Sequence, residues 1–269
     1  MKDLKGEIAV VVGASSGIGA AIARTLAAAG ARVAVASRDE AVAAGVASAL
    51  GDAHLGVAID VRSSASVDRA AAQVAAALGP PSILVNNAGI NHIGPAESFT
   101  DDEWAAVLDV NLTGVYRCCR AFGTLMLAEG RGSIVNISSL TAKMGLPGRA
   151  PYAASKAGIV GLTQTLGTEW AGRGIRVNAV LPGPVLTPMV ADGIARGVLD
   201  EREIAERTPA GRFGTPDDVA GAVLLLCLPS AGFITAQTLV VDGGYTMYAS
   251  AHGTSEIVPR VHGASGKDR

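Results

Sequence analysis

The chain contains 269 residues, of which 49% are hydrophobic and 17% are charged. This length and composition suit one α/β domain with a large core, and they exclude a disordered chain. The formal net charge is −2, so no basic surface predicts binding to nucleic acid or to an anionic membrane.

In chain order, short apolar runs alternate with alanine-rich stretches of helical character. The predicted elements are a strand at 8–12, a helix at 18–29, a strand at 32–36, a helix at 40–50, a strand at 55–59, a helix at 66–78, a strand at 83–86, a helical region at 101–128, a strand at 133–138, a helix at 152–171, a strand at 176–180, a helix at 216–228 and a strand at 238–241. Strands that are apolar on both faces and separated by helices are typical of a parallel sheet covered on both sides. The sequence therefore predicts an α/β fold, a single doubly wound parallel sheet with helices on both faces.

The organisation of the chain is interpreted as one domain over residues 1–248, because no linker and no internal repeat divides it. Within it, residues 188–212 combine apolar side chains with charges, which suits a partly mobile helical lid with an apolar underside. Residues 249–269 have no periodic face. We expect this tail to be either disordered or an arm laid on a partner subunit.

Two features bear on localisation. The apolar stretch Ile8–Val12 is too short for a signal peptide, and the uncharged run 219–241 is interrupted by proline, glycine and polar residues. Cys118, Cys119 and Cys227 form neither a disulfide framework nor a zinc pattern and are interpreted as small buried residues in a reducing compartment. We therefore expect a cytoplasmic protein without a metal site.

A glycine-rich turn, Gly13-Ala-Ser-Ser-Gly17-Ile-Gly19, directly follows the first predicted strand and begins a helix. Glycine permits positive φ and close backbone approach to a ligand, and a helix N-terminus offers free N–H groups and a positive dipole end. A pyrophosphate suits this site, whereas the alternative is a plain strand-to-helix turn. The strand–turn–helix context favours dinucleotide binding in a Rossmann-type fold.

The end of the second strand indicates which dinucleotide binds. An acidic residue there would bind the ribose 2′-hydroxyl of NAD and repel a 2′-phosphate. The chain instead has Ser37-Arg38-Asp39, and a hydroxyl followed by a guanidinium suits a phosphate. The charge chemistry favours NADP, with NAD as the alternative and a solvent-exposed Arg38 as the alternative role for that residue.

The segment Tyr152-Ala-Ala-Ser-Lys156 places a phenol and an amine four residues apart, on one face of a predicted helix. A free tyrosine has a pKa near ~10, and an adjacent cation favours the phenolate. We expect Lys156 to lower the Tyr152 pKa and make the phenol a general acid/base at cellular pH. Tyr-x-x-x-Lys alone is a common pattern on solvated helix faces, so its significance depends on the rest of the chain.

Together these segments resemble the short-chain dehydrogenase/reductase family, over almost the whole chain to about Gly244. The matching segments are Gly13-x-x-x-Gly17-x-Gly19, Asp60-Val61, Asn86-Asn87-Ala88-Gly89, Asn111, Ser139, Tyr152-x-x-x-Lys156, Asn178-x-x-x-Pro182-Gly183 and Val241-Asp242-Gly243-Gly244. Two positions depart from the family pattern: Val12 replaces a threonine before the first glycine, and Ala236 replaces a glycine. We expect the loss of the threonine hydroxyl to affect the rigidity of the glycine-rich turn. We expect the alanine to affect the packing near the last strand.

The resemblance implies a catalytic set of four residues. Tyr152 is the implied general acid/base, and Lys156 lowers its pKa and binds the nicotinamide ribose. Ser139, chosen over Ser138 for its separation from the tyrosine, holds the substrate oxygen, and Asn111 positions a water that links Lys156 to solvent.

The resemblance also implies a row of cofactor contacts from the adenine to the nicotinamide. In chain order these positions are Gly13, Ser15, Ser16, Gly17, Ile18, Gly19, Asp60, Val61, Asn87, Ala88, Gly89, Tyr152, Lys156, Pro182, Gly183, Val185 and Thr187, and the charge chemistry at the end of the second strand adds Ser37 and Arg38. The implied activity is the interconversion of a secondary alcohol and a ketone by hydride transfer. Its candidate substrates are a 3-oxoacyl thioester or, alternatively, a sugar or polyol.

Substrate choice is expected to lie in three stretches, 91–97, 140–151 and 188–212. His92, Lys143 and Arg149 are candidates to meet an anionic group, although such residues are more often ordinary surface residues. Trp104, Val107 and Leu108 are interpreted as core or as part of a subunit face, and the family resemblance implies a homotetramer built through the predicted helix 153–167. An alternative function, of a different class, is that of a regulatory protein that binds a dinucleotide and catalyses no reaction. The complete set of four catalytic candidates argues against this alternative.

Overall fold

Seven parallel strands form one sheet in the computed structural model, which describes residues 4–197 and 199–248 apart from the side chain of Met189. The strands are β1 (Ile8–Val12), β2 (Arg32–Ser37), β3 (Leu55–Ala58), β4 (Ile83–Asn86), β5 (Gly132–Ile137), β6 (Ile175–Pro182) and β7 (Thr238–Val241). Their spatial order is β3-β2-β1-β4-β5-β6-β7, and every neighbouring pair is parallel. The doubly wound α/β prediction is confirmed, whereas the predicted tail, 249–269, lies outside the described residues.

Nine α-helices connect the strands within the described part of the chain. They are α1 (Gly17–Ala28), α2 (Glu40–Leu50), α3 (Ser64–Leu78), α4 (Asp101–Leu108), α5 (Gly114–Glu129), α6 (Ala150–Ala171), α7 (Pro188–Ala195), α8 (Glu201–Arg207) and α9 (Pro216–Cys227). The strand and helix boundaries mostly agree with the sequence-based prediction to within two residues.

The core has two layers because successive strand residues point to opposite faces of the sheet. Val11 packs with α1, α2 and α9, whereas Val10 packs on the other face with α3, α5 and α6. Both residues are fully buried. This two-sided burial explains why the strands are apolar runs without alternation.

The predicted helical region at 101–128 is interrupted by a π-helical turn, Asp109–Thr113, between α4 and α5. A capping box between Thr100 and Glu103 begins α4. Single π turns of this kind are frequently found at functional sites. Asn111 lies in this turn and is fully buried.

The predicted lid segment, 188–212, contains two short helices, α7 and α8. Thr187 caps α7 by accepting from Val190 N, and Asp200 caps α8 by accepting from Arg202 N and Glu203 N. The predicted helical character is confirmed. Its mobility stays a prediction.

The uncharged run 219–241 forms the end of α9, a short 3-10 turn and β7, as expected. Within residues 4–197 and 199–248, no helix is long and apolar enough to cross a membrane. The three cysteines are buried free thiols, and burial raises the pKa of Cys119 and Cys227 to about 12. These thiols therefore behave as small apolar core residues.

Candidate active site

Two connected cavities lie at the carboxyl edge of the sheet, where the strand order reverses between β1 and β4. In open α/β sheets, this switch point is where ligands bind. The nucleotide cavity, of about 390 Å³, is lined by Gly13, Ser37, Asp60 and Ala88 among others. The substrate cavity, of about 470 Å³, contains Ser139, Tyr152 and Lys156. The two share the residues Ile18, Asn87, Gly89, Ile90 and Thr187.

The glycine-rich turn is shaped for close backbone approach. Gly13 has φ +80°, and a Cβ atom there would lie 2.6 Å from the backbone of Ala88. Gly17, with φ +55°, begins α1. Ser15 and Ser16 line the nucleotide cavity, and the Ser16 hydroxyl makes no capping bond to α1. The free N–H groups of α1 and these hydroxyls suit a pyrophosphate.

Gly19 serves packing, because it lines neither cavity and a Cβ atom there would clash with the Gly13 carbonyl oxygen. The turn is nevertheless tied to β4: Asn87 Nδ2 donates to Gly13 O at 2.7 Å, and Asn87 N donates to Val12 O at 3.0 Å. Val12 itself is a buried core residue. The Asn87 amide therefore anchors the turn without a threonine hydroxyl at position 12.

The end of β2 presents one charged side chain to the nucleotide cavity. Arg38 is exposed and lines the cavity, and no hydrogen bond or ion pair holds its side chain among the described residues. The Ser37 hydroxyl donates to Asp39 O at 2.6 Å. The Asp39 carboxylate accepts from Val42 N at the start of α2 and does not line the cavity.

Arg62 was not predicted from the sequence, yet it lines the nucleotide cavity. Its guanidinium binds the Asp60 carboxylate, with Nη2 2.8 Å from Oδ2. The Arg62 hydrogen bond lowers the pKa of Asp60 to about 2. Asp60 is therefore an ionised, paired carboxylate, and Val61 beside it also lines the cavity.

Tyr152 and Lys156 lie one turn apart on α6 and both face the substrate cavity, as predicted. Lys156 Nζ is 5.5 Å from the Tyr152 ring centroid and donates to Ile137 O at 2.9 Å. Lys156 is buried, and burial lowers its pKa to about 8. Its ammonium therefore lies between the end of β5 and the tyrosine ring.

The predicted lowering of the Tyr152 pKa is wrong in direction. Burial raises the Tyr152 pKa, while a hydrogen bond with Ser139 and the charge of Arg149 lower it. The physical reason is that the phenolate loses its hydration, and the Lys156 ammonium faces the ring and a backbone carbonyl. The nearby cation that favours the phenolate is Arg149, which had not been assigned this role.

Two adjacent serines end up with different partners. The Ser138 hydroxyl donates to Lys156 O at 2.8 Å and so ties β5 to α6. The Ser139 hydroxyl accepts from Thr141 N at 3.2 Å and interacts with the Tyr152 hydroxyl. The geometry therefore agrees with the choice of Ser139 as the cavity-facing hydroxyl.

Asn111 holds the strand end rather than lining a cavity. Its Oδ1 accepts from Ile90 N at 2.8 Å, and its Nδ2 donates to Ile90 O at 2.9 Å and to Ser155 Oγ at 3.1 Å. A side chain at Gly89 would come within 3.3 Å of Asn111 Oδ1 and 3.6 Å of Lys156 Nζ. A Cβ atom at residue 89 would therefore be in tight contact with the Asn111 amide oxygen and in ordinary contact with the Lys156 amine.

The loop after β6 contributes the remaining predicted positions. Pro182, Gly183, Val185 and Thr187 all line the substrate cavity. A Cβ atom at Gly183 would lie 2.5 Å from the Asp242 side chain, so glycine is required by that close approach. The loop is therefore held against the segment that follows β7.

Sequence reasoning missed several cavity residues inside the stretches that it assigned to substrate choice. Asn91 and Thr141 line the substrate cavity, and Asn91 Oδ1 and Thr141 Oγ1 are buried without a hydrogen-bond partner among the described residues. Of the three basic candidates, Arg149 lines this cavity, whereas His92 and Lys143 do not. Only folding places one of these three cations at the site.

In the described part of the chain, no group of three His, Cys, Asp or Glu residues could hold a metal ion.

Comparison with known proteins agrees with this geometry. A family model described as Enoyl-(Acyl carrier protein) reductase matches residues 13–246. The chain is 43% identical over 250 residues to D-threitol dehydrogenase of Mycolicibacterium smegmatis, covering 91% of this chain and 94% of that protein. It is 38% identical over 247 residues to a 3-oxoacyl-acyl-carrier-protein reductase of Vibrio cholerae, covering 91% of this chain and 99% of that protein.

Among solved structures, a gluconate 5-dehydrogenase from Burkholderia cenocepacia, in complex with NADP and tartrate, superposes with a TM-score of 0.88 at 37% identity. The superposition covers 92% of this chain and 98% of that one. The chain belongs to the short-chain dehydrogenase/reductase family. It is an NAD(P)-dependent oxidoreductase that interconverts alcohols and ketones, rather than a non-catalytic regulator.

Proposed function

We propose that this chain is an NADP-preferring dehydrogenase of polyhydroxylated substrates, of the sugar or polyol type. The observation that carries the proposal is the pair of unpartnered buried atoms, Asn91 Oδ1 and Thr141 Oγ1, in the cavity that contains Ser139 and Tyr152. A buried polar atom without a partner is costly, so such atoms call for a ligand that supplies hydrogen bonds. Both side chains line the substrate cavity, so rotation of either one on substrate binding would bring its oxygen to a substrate hydroxyl group that flanks the reacting carbon.

The residues around the cavity provide the proton chemistry of such a reaction. During reduction, Tyr152, which its raised pKa keeps as the protonated phenol, donates the Oη proton to the carbonyl oxygen; during oxidation, its phenolate form accepts the proton of the substrate hydroxyl. Ser139 holds the same oxygen, and Lys156 holds the ring of Tyr152 in place. The bound nicotinamide supplies the hydride acceptor or donor. Asn111 fixes the Ile90 backbone through two hydrogen bonds and so keeps the wall beside Lys156 rigid.

The nucleotide cavity suits a dinucleotide because the glycine-rich turn at the start of α1 and the residues that follow β2, β3 and β4 line it together. Preference for NADP is supported by the exposed, cavity-lining Arg38, which is available for charge-assisted bonds to a phosphate. The nearby acidic groups do not compete for the ribose: Asp39 caps α2, and Asp60 is paired with Arg62. NAD is the alternative cofactor.

A second candidate, a 3-oxoacyl thioester reductase, is favoured by the apolar wall of the lid segment. Val190, Leu199 and Ile204 face the substrate cavity and would contact an acyl chain. The Vibrio cholerae relative carries this activity in its name. This candidate gives no account of the two unpartnered polar atoms.

A panel of substrates distinguishes the two candidates. With NADP or NAD, the purified enzyme should oxidise polyols of four to six carbons, and Thr141→Val should raise KM for them about tenfold, because a buried hydrogen bond is lost. Ser98→Ala, which removes a hydroxyl outside both cavities, is the matched control. If reduction of a 3-oxoacyl thioester with NADPH is far more efficient than every polyol reaction, the second candidate is correct.

We also propose that residues 1–248 act as one domain in a cytoplasmic homotetramer. Trp104 and Tyr116, on α4 and α5, are 41% and 47% exposed, which is unusual for aromatic residues and supports a subunit face there. Val107 is instead fully buried in the core. Light scattering of the wild type and of Trp104→Glu tests this assignment, because the charged residue should lower the measured mass.

A further inference from the structure

The substrate cavity carries a positive charge that no acidic side chain among the described lining residues balances. Among its lining residues, Arg149 and Lys156 are the only charged ones, and none is Asp, Glu or His. Lys156 is committed to Ile137 O. The Arg149 side chain is half-buried, and within the described residues it has neither a hydrogen bond nor an ion pair. A half-buried guanidinium with five donors and no acceptor calls for an anionic partner.

The backbone around Arg149 is held in place by two contacts. Gly94 N donates to Gly148 O at 3.1 Å, so the loop after β4 fixes the loop that carries Arg149. Ala153 N donates to Arg149 O at 2.8 Å, which joins Arg149 to the first turn of α6. Arg149 is the N-cap residue of α6, and Tyr152 lies in the first turn, so the two residues lie at the same end of the helix. The Arg149 charge accordingly acts on Tyr152.

We propose that Arg149 is a specificity-determining residue that binds a carboxylate or phosphate of the substrate, so that the preferred substrate is an anionic polyol. This inference rests on the proposed polyol activity. The division of labour follows from the donors and acceptors present: Arg149 donates to the anion, while Asn91 Oδ1 and Thr141 Oγ1 bind substrate hydroxyl groups. The reacting carbon lies between them, at Ser139 and Tyr152.

The test compares kcat/KM for three matched substrate sets: neutral polyols of four to six carbons, the aldonates of the same length, and the same polyols bearing a terminal phosphate. The wild-type enzyme should prefer one anionic set over the neutral set by about 10- to 100-fold, the range of a charge-assisted bond. Preference for aldonates identifies a carboxylate, and preference for the phosphorylated set identifies a phosphate.

Substitutions at Arg149 test whether this residue causes the preference for anionic over neutral substrates. Arg149→Gln should lower the anionic-to-neutral ratio at least about tenfold, mainly through KM, and Arg149→Lys should restore part of it because the charge returns. Lys143→Gln removes an exposed cation of the same loop that does not line the cavity, and it should leave the ratio unchanged.

Two results overturn the inference. If neutral and anionic polyols react equally well, or if Arg149→Gln leaves the ratio unchanged, the Arg149 assignment fails while the proposed polyol activity stands. If no polyol of any charge is oxidised and a 3-oxoacyl thioester is reduced, the proposed function fails and the inference fails with it.

Discussion

Lys156 Nζ lies 5.5 Å from the centroid of the Tyr152 ring and donates to the Ile137 carbonyl at 2.9 Å. The ammonium is therefore placed over the ring face rather than at the phenolic oxygen, where Ser139 is the hydrogen-bond partner. This arrangement separates two roles: Lys156 packs against the ring and joins α6 to β5, while Ser139 is hydrogen-bonded to the Tyr152 hydroxyl, the group that we propose exchanges the proton.

Tyr152→Phe should abolish turnover while the cofactor still binds. The variant lacks the phenolic oxygen that is hydrogen-bonded to Ser139, and general acid/base groups contribute roughly 10²- to 10⁴-fold to rates. Steady-state kinetics and cofactor fluorescence titration measure the two quantities separately. Tyr116→Phe, on the exposed face of α5, is the control and should keep full activity. Turnover that survives in Tyr152→Phe would remove this residue from the mechanism.

Burial of Lys156 makes the stability of the protein depend on pH. Its folded-state pKa is lowered from 10.5 to about 8, so between these values the unfolded chain binds more protons than the folded one. The contribution of Lys156 to the free energy of unfolding therefore increases as the pH rises through that window. Relative to Lys156→Met, the wild type should gain about 2 kcal/mol between pH 7 and pH 9.5.

Urea unfolding of both proteins at several pH values measures this gain. Lys143→Met serves as the control, because an exposed lysine is solvated in both the folded and the unfolded state. The free energy of unfolding of this variant should follow that of the wild type at every pH. A constant difference between wild type and Lys156→Met would show that the amine is hydrated in the folded protein.

Arg38→Ala should weaken NADPH binding about 10- to 100-fold and NADH binding about twofold or less, because only NADPH carries a phosphate to pair with the guanidinium. Fluorescence titration of both nucleotides gives the two dissociation constants. Arg173→Ala removes an exposed cation outside both cavities and should change neither constant. Equal losses of both nucleotides would contradict the phosphate assignment.

Ala236→Gly should stabilise the protein by about 0.5–1 kcal/mol. Ala236 has φ +58° and is the one non-glycine residue with positive φ in the described chain, a conformation that is strained for a residue with a Cβ atom. Thermal unfolding measures the change. Ala76→Gly, at an exposed position inside α3, is the matched control and should destabilise by roughly 1 kcal/mol. If both variants destabilise equally, the strain at residue 236 is relieved by its packing against Gly167.

Local patterns predicted most of the fold. The strands and helices follow from apolar runs, alanine-rich stretches and caps, all of which are properties of neighbouring residues. The π turn at Asp109–Thr113 was missed because its residues read as a continuous helix. Its buried Asn111 is held by Ile90, 21 residues earlier, and no local pattern records such a distant partner.

The site was predicted to a similar extent. The glycine turn, Arg38, Ser139 and the Tyr152–Lys156 pair were found because spacing and residue type carry their chemistry. Arg62 was missed because its pairing with Asp60 at the cavity wall depends on how the chain turns after β3. The same limit applied to Asn91 and Thr141, whose unpartnered atoms can be recognised only once their surroundings are known.

The sequence by itself determined the layered α/β architecture and the glycine-rich turn, and it predicted the groups that we propose exchange a proton, because these depend on short-range spacing. The tertiary structure alone decided which of three basic residues enters the substrate cavity, and that burial raises the Tyr152 pKa. The physical reason is that desolvation and Coulomb interactions depend on distances between segments far apart in the chain.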